Sequence, residues 1–371
     1  MDILRRIGTL LGPAIQIPAI GLDISDRSIK YVKIRSRGET LEIESFGELE
    51  VPEGAIANGE IKDGGAVSKI LASWFSREKR ILNTKFAAAS LPEEKSFVRL
   101  VQLPKIAPQE IDNALRWEIE GNIPLPLEEM LYDYEVIEPL EDHLDHLDIV
   151  VTAFPKTIIN AYLELLAGAG LRPFALELES HAFVRACALG RERSSVLLID
   201  IGRIRTNLTM HTAGSVVFTS TLPFGGYLLE DVLGHTLGLT ALQARVIKIE
   251  AGLRKKEQEG KIFAALAPSI AALADEIRRA IDYYQNHMSH THGASRTINR
   301  IILAGGDANL DGLDTYLASA LRIPVGRADP FAAFRSEMPH AVPPLTRRES
   351  LAFTQAIGLA LKPYQHTSLA R

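Results

Sequence analysis

Hydrophobic and polar residues alternate in several short segments of the chain, which is the pattern of half-buried β-strands. Two such segments lie within residues 19–35 and flank a polar turn. Residues 196–201 form a continuous apolar run, as in a strand buried on both faces, and residues 208–221 continue as a meander. Residues 301–303 form a further predicted strand that runs directly into two glycines.

Apolar residues recur at helical spacing in the segments between these strands. Pro108 lies at the start of one such segment, a position where proline is favoured. Pro268 is likewise predicted to open a long amphipathic helix, with one apolar and one charged face. Asn309 is predicted to cap a helix over residues 310–321.

Composition narrows the class of protein. The chain has 371 residues and a formal net charge of −5, without a basic domain, which argues against general nucleic-acid binding. Cys187 is the only cysteine, so no internal disulfide can form, and a reducing compartment fits. No apolar run is long enough to predict a membrane-spanning helix. The first residues, 1–16, are predicted to be an amphipathic arm or, alternatively, a frayed tail.

Three loops carry candidate chemistry. In the first, Asp23 ends a predicted strand and a turn through Ser25 leads to Lys30. The second loop runs from Asp200 through Gly202 to Thr206. The third is the pair Gly305–Gly306 between a strand and a helix.

Such loops suit nucleotide binding. Hairpin turns can present backbone N–H groups to phosphates, and glycine lets a ligand approach the backbone closely. Asp23 and Asp200 provide hard oxygen ligands for magnesium, held mainly through water. Each loop alone is usually an ordinary turn, so the prediction rests on the order and spacing of all three. Competing signatures, G-x-x-x-x-G-K-[ST] and G-x-G-x-x-G, are absent from the sequence.

Taken together, these segments resemble the actin-like ATPase superfamily and, within its FtsA/PilM branch, the family of type IV pilus assembly proteins PilM. The stretches that carry the resemblance are IGLDISDRSIKYVKI, SFVRLVQLPKIAPQEIDNALRWEIEGNIPLPLEEMLYDYEVI, LLIDIGRIRTNLTM, LADEIRRAIDYY and IILAGGDANLDGL. The second stretch is the most specific, because it looks like the inserted subdomain of this family rather than the corresponding region of actin.

The resemblance implies an α/β fold of two actin-like, ribonuclease H-like lobes with a small inserted α+β subdomain. It divides the chain into an arm (1–18), the first part of lobe I (19–85), the inserted subdomain (86–174), the rest of lobe I (175–195), lobe II (196–362) with a small insertion near 238–266, and a loose tail (363–371).

The resemblance also implies that the protein binds ATP with Mg²⁺. The residues that match the family's nucleotide motifs are Asp23, Ser25, Lys30, Asp200, Gly202, Thr206, Gly305 and Gly306, and Glu276 and Arg279 fall where a helix of the family approaches the ribose and base. The chain departs from the family pattern in that Ser25, Asp26 and Asp307 stand where small residues are common, and Arg203 and Arg205 are unusually basic for the second loop. These departures predict slow or absent hydrolysis.

The function implied by the resemblance is that of a cytoplasmic scaffold peripheral to the inner membrane. Members of the family bind a short cytoplasmic N-terminal peptide of a membrane-anchored partner, PilN, and the inserted subdomain is the expected peptide site. Trp117 is interpreted as core or groove wall, or else as a partner contact. A type II secretion scaffold, a cell-division scaffold and a kinase of the same superfamily are the competing functions.

Overall fold

The computed structural model describes residues 17–37, 40–137, 146–254, 260–287, 297–335 and 344–367. The predicted arm at 1–16 lies outside these residues. The strands are β1 (Ile20–Ile24), β2 (Ser28–Arg37), β3 (Thr40–Glu50), β4 (Ile56–Ala57), β5 (Glu60–Ile61), β6 (Phe86–Leu91), β7 (Phe97–Pro104), β8 (Met130–Val136), β9 (His146–Pro155), β10 (Arg172–Leu178), β11 (Val196–Ile201), β12 (Thr206–Thr212), β13 (Ser215–Leu222), β14 (Arg300–Ala304) and β15 (Val325–Arg327).

Helices alternate with these strands. They are α1 (Gly64–Leu82), α2 (Pro108–Asn122), α3 (Lys156–Gly168), α4 (Glu179–Ala186), α5 (Gly226–Leu237), α6 (Ala241–Ala251), α7 (Lys261–His287), α8 (Leu313–Leu321), α9 (Ala332–Arg335), α10 (Arg347–Ala352) and α11 (Thr354–Leu361). None of the helices in the described part of the chain is both long and apolar enough to cross a membrane.

Two five-stranded sheets form the centres of the two lobes. The first has the order β10-β6-β1-β2-β3 and the second β13-β12-β11-β14-β15. Each contains a buried strand that turns directly into an antiparallel partner: β1 into β2, with Ile24 opposite Ile29, and β11 into β12, with Ile201 opposite Thr206. The two predicted phosphate loops are therefore equivalent hairpin turns, one in each lobe.

A separate three-stranded sheet, β7-β9-β8, carries α2 on one face. Its own apolar core includes Leu115 and Ile149. This unit spans residues 97–155 and is narrower than the predicted subdomain at 86–174. The difference arises because β6 pairs in parallel with β1 and β10, and α3 packs on α1, so these elements belong to lobe I.

α11 crosses α4, and both helices pack on the first sheet, so α11 lies in lobe I and not in the predicted lobe II (196–362). Gly358 lies against the carbonyl oxygen of Ala182, with no room for a Cβ between them. Gly21 of β1 lies equally close to the backbone of α11 at Ala356 and Ala360. Glycine at these two positions therefore lets the helices pack directly on each other and on the first sheet.

Three local predictions were wrong. The long helix α7 begins at Lys261 and continues through Pro268, because its apolar stripe runs from Ile262 to Ile281 and burial outweighs the lost hydrogen bond. Asn309 ends a 3₁₀ turn, and α8 begins only after Gly312. The tail is not loose up to residue 367, since Lys362–Thr367 form a 3₁₀ helix and the buried Tyr364 hydroxyl donates to the Ile34 carbonyl at 3.1 Å.

Candidate functional site

The three predicted loops meet between the two lobes. Asp23 lies close enough to Asp200 that its negative charge raises the pKa of the Asp200 carboxyl. The pKa of Asp200 is raised to about 6, first by burial and then by Asp23, while Lys30 lowers it. Gly305, with φ of +88°, lies against Ile201 and Asp200, and an added Cβ would come within 2.5 Å of the Asp200 Oδ1. A glycine is required there by both its conformation and its contacts.

Two glutamates that the sequence analysis missed share this cleft. Burial raises the pKa of Glu179 well above its usual value, and the charges of Asp23 and Asp200 raise it further. The pKa of Glu93 is raised to about 7, mainly by burial, against the opposing effect of hydrogen bonds from Ser180. Crowded carboxylates of this kind favour a neutralising cation.

Asn207 and Ser180 fix the positions of these glutamates. The Asn207 amide donates to Glu179 at 2.6 Å, and the Ser180 N–H and hydroxyl donate to Glu93 at 3.2 and 2.8 Å. Glu179 begins α4 directly after β10. Its position at a strand-to-helix junction was the only available sequence signal, and only the fold brings it to Asp23 and Asp200.

The first hairpin turn is closed by Ser25, the residue that replaces the family's glycine. Its N–H and hydroxyl both donate to the Ser28 carbonyl, at 3.0 and 2.8 Å. The Lys30 ammonium donates to the Ser28 hydroxyl at 3.0 Å and lies 3.5 Å from Glu48. Its charge opposes the raised pKa of Asp23. Lys30 is thus the cation placed beside the two aspartates.

Asp26 points away from the two aspartates. It accepts hydrogen bonds from the N–H groups of Asn58 and Gly59, both at 3.0 Å, in the β4–β5 turn. It also forms an ion pair with Arg205 of the second loop. The charge that Asp26 brings to the first loop is therefore offset from across the cleft.

A helix that the sequence analysis did not assign to the site contacts the third loop. Lys248 of α6 donates to Asp307 at 2.5 Å and to Glu230 at 2.8 Å, and all three side chains are largely buried. Glu276 and Arg279 instead lie on the outside of α7 and pair with each other. They make no described contact with the three loops, so Lys248 is the better candidate for the nucleoside side.

A cavity of about 290 Å³ lies beside the third loop. It is lined by Asn309, Asp314, Arg327, Arg347, Arg348 and Leu351. The planar guanidinium of arginine can stack on an aromatic base.

Within the described ranges, no three His, Cys, Asp or Glu side chains are arranged to hold a metal ion directly.

Comparison with known proteins places this geometry in a family. The sequence matches the model of the type IV pilus assembly protein PilM family over residues 21–364. The chain belongs to the PilM family. The match includes both lobes and the inserted sheet.

Solved structures confirm the actin-like fold. A PilM–PilN type IV pilus biogenesis complex matches with a TM-score of 0.76 at 22% identity, covering 95% of this chain and 100% of that one. The ethanolamine utilization protein EutJ from Carboxydothermus hydrogenoformans matches at 0.56 and 17%, covering 94% and 91%. MreB5 of Spiroplasma citri bound to ADP matches at 0.55 and 13%, covering 95% and 97%.

Proposed function

We propose that this PilM-family protein is a cytoplasmic nucleotide-binding scaffold for assembly of the inner-membrane type IV pilus machinery. In this role it binds the cytoplasmic N-terminal peptide of a PilN-like membrane protein and is held at the membrane through that partner. The observation that carries the proposal is the family match across both lobes and the inserted sheet. The similarity to a PilM–PilN complex supports a partner of the PilN type.

The proposed ligand is an adenine nucleotide with Mg²⁺, and the cleft supports it in three ways. Asp23 and Asp200 provide buried carboxylates whose raised pKa values would fall beside a divalent cation. The hairpin turns directly follow Asp23 and Asp200, and such turns can bind phosphates through backbone N–H groups other than those of Ser25 and Gly202, which donate to the Ser28 and Arg205 carbonyls. Gly305 packs closely against Ile201 and Asp200, which brings the third loop beside the second one. Thr206, whose hydroxyl donates to the Phe224 carbonyl at 2.8 Å, holds the second loop.

The inserted sheet offers a surface for an extended peptide. β8 is an edge strand whose only described sheet neighbour is β9. Leu131 and Val136 are exposed along it. An extended peptide can add to such an edge through main-chain hydrogen bonds, with neighbouring pockets giving specificity. This is the geometry that a short N-terminal segment of a membrane protein requires.

Trp117 strengthens this assignment. It lies on α2 of the inserted unit and is 78% exposed, so its interpretation as a core residue is wrong. A partner that covers a tryptophan exposed to this extent removes a large apolar surface from water. Tryptophan is also enriched in binding hot spots. The exposure of Trp117 therefore supports its interpretation as a partner contact.

A pull-down with synthetic N-terminal peptides of PilN-like proteins tests the peptide site. Phe97 lies opposite Ala153 in the β7–β9 pair, so the two ends of the unit are neighbours. Residues 97–155 can therefore be replaced by a short Gly-Ser linker without stretching lobe I, but the replacement uncovers the core residues that pack on Val98, Val150 and Phe154. Circular dichroism must therefore show that the shortened protein is folded, and the folded protein is expected to lose the peptide. Retained binding by the folded, shortened protein would place the peptide site elsewhere.

A point substitution provides a finer test. Trp117→Ala is expected to weaken peptide binding by about 2 kcal/mol or more if Trp117 is a hot spot. The matched control is Leu242→Ala, since Leu242 is a similarly exposed apolar residue, at 72%, on α6 of lobe II. Equal affinities of the two variants for the peptide, measured by fluorescence anisotropy, would remove Trp117 from the interface.

A further inference from the structure

The two hairpin turns of the cleft are tied together by one arginine. Arg205, in the β11–β12 turn of lobe II, forms ion pairs with Asp26 of the β1–β2 turn and with Glu94. Glu94 belongs to the 3₁₀ turn Glu93–Lys95 of lobe I. Each of the three side chains keeps less than a fifth of its surface exposed. We call Asp26, Arg205 and Glu94 the interlobe clasp.

Each member of the clasp depends on the others for charge compensation. Both carboxylate oxygens of Glu94 are buried and accept no hydrogen bond from the described residues, so the ion pair with Arg205 is the compensation that the structure shows. Asp26 is held in place by the N–H groups of Asn58 and Gly59. Removing the guanidinium from this site would leave two carboxylates facing each other, which is costly away from water.

The clasp links the two hairpin turns to which the phosphates are assigned in the proposed nucleotide site. Gly305 of the third loop contacts Asp200 and Ile201, at the end of β11. A nucleotide whose nucleoside rests at the third loop extends its phosphates past Asp200 toward the two hairpin turns. Those turns meet at Asp26 and Arg205. The terminal phosphate of the nucleotide is therefore the one that comes nearest to the clasp.

We propose, on the basis of the nucleotide site assigned above, that the interlobe clasp makes this cleft selective for a nucleoside diphosphate over a triphosphate. The clasp has a net charge of −1, from one arginine and two carboxylates. A third phosphate must either approach Asp26 and Glu94 or draw Arg205 away from them. A diphosphate ends before the clasp and leaves the ion pairs intact, so it avoids both penalties.

Arg205 is a positioning residue in this arrangement, because its ion pairs hold the two hairpin turns at a fixed distance from each other. The test is calorimetric titration of the full chain with MgADP and with MgATP. The wild type is expected to bind MgADP at least roughly tenfold more tightly, the scale of a like-charge contact at a binding site. In Asp26→Asn and Glu94→Gln, Arg205 is freed to meet the third phosphate. In these variants the ratio of the affinity for MgADP to the affinity for MgATP should fall toward one or below it, mainly because MgATP binds more tightly.

The matched control is Glu53→Gln. Glu53 pairs with Arg27 of the same β1–β2 turn, at 2.7 Å, but its side chain is 82% exposed and points outward. Its loss should leave the ADP-to-ATP ratio unchanged. Wild-type protein that binds MgATP as tightly as MgADP would overturn the proposed selectivity and leave the nucleotide site standing. Folded protein that binds neither nucleotide, in the wild type and both clasp variants, would overturn the nucleotide site together with the selectivity.

Discussion

Gly358 of α11 and Ala182 of α4 are in direct backbone contact beside the first sheet, and the Gly358 carbonyl also accepts a hydrogen bond from Arg185 at 2.9 Å. A methyl group on Gly358 would overlap the Ala182 carbonyl oxygen. Since both neighbours are helix backbone, neither can move aside as a side chain could.

Gly358→Ala should therefore lower the free energy of unfolding by about 1–3 kcal/mol, the usual cost of overpacking a close contact. Chemical denaturation monitored by circular dichroism measures it. Gly121→Ala is the control, because Gly121 lies near the end of α2 with nothing within 4 Å of an added Cβ. That change should be neutral or stabilising by up to about 1 kcal/mol. Similar losses in both variants would contradict the packing argument.

Asp200→Asn should abolish binding of the magnesium nucleotide while keeping the fold. The substitution preserves the shape of the side chain and removes the charge that a hydrated magnesium ion would face. Calorimetry with MgADP and MgATP measures binding, and circular dichroism checks the fold. Unchanged affinity in Asp200→Asn would remove this carboxylate from the proposed site.

Glu93→Gln should change the pH dependence of stability. Because the folded-state pKa of Glu93 is raised to about 7 from its ordinary value of 4.5, the folded protein holds this proton more tightly than the unfolded chain. The wild type then loses stability as pH rises through the window from 4.5 to 7, and the glutamine variant does not.

Relative to wild type, Glu93→Gln should thus gain stability as pH rises from about 5 to about 8, by up to about 3 kcal/mol for this fully buried group. Urea unfolding of both proteins at several pH values gives the difference. Glu349→Gln is a control, since Glu349 is exposed and its pKa is lowered by Thr346. A pH-independent difference between Glu93→Gln and wild type would show that Glu93 titrates normally.

Hydrolysis of ATP is expected to be slow or absent. Phosphoryl transfer depends on close positioning and on stabilising the charge that spreads over the transferred group. Here Asp26 and Arg205 engage each other at the turns that would have to do this. A phosphate-release assay should give a rate far below the roughly 1–100 per second of kinases. Turnover in that range would contradict the expectation.

The three loops and their order could be predicted from the sequence, because each loop follows a strongly apolar strand. Asp23 and Asp200 do lie together. The sequence could not reveal Lys248 or Glu179, because no local pattern links α6 or the start of α4 to the cleft. Only the sheet order and the crossing of the helices bring these residues to the three loops.

The structure explains how the chain tolerates two of its departures from the family pattern. In the sequence, Asp26 and Asp307 add negative charge where small residues are common. In the fold, Asp26 meets Arg205 and Asp307 meets Lys248. Each added charge has a partner that is distant along the chain, and such compensation cannot be inferred without a structure.

The inserted sheet begins and ends on two neighbouring strands, β7 and β9, and has an apolar core of its own. Because Val98, Val150 and Phe154 on its other face pack into the core of the lobes, an exchange of this module between relatives must keep these three side chains. Substitutions that alter which peptide it accepts need not disturb the packing of the two lobes. Chimaeras that combine this module from one pilus protein with the lobes of another therefore test directly whether the module determines which peptide is bound.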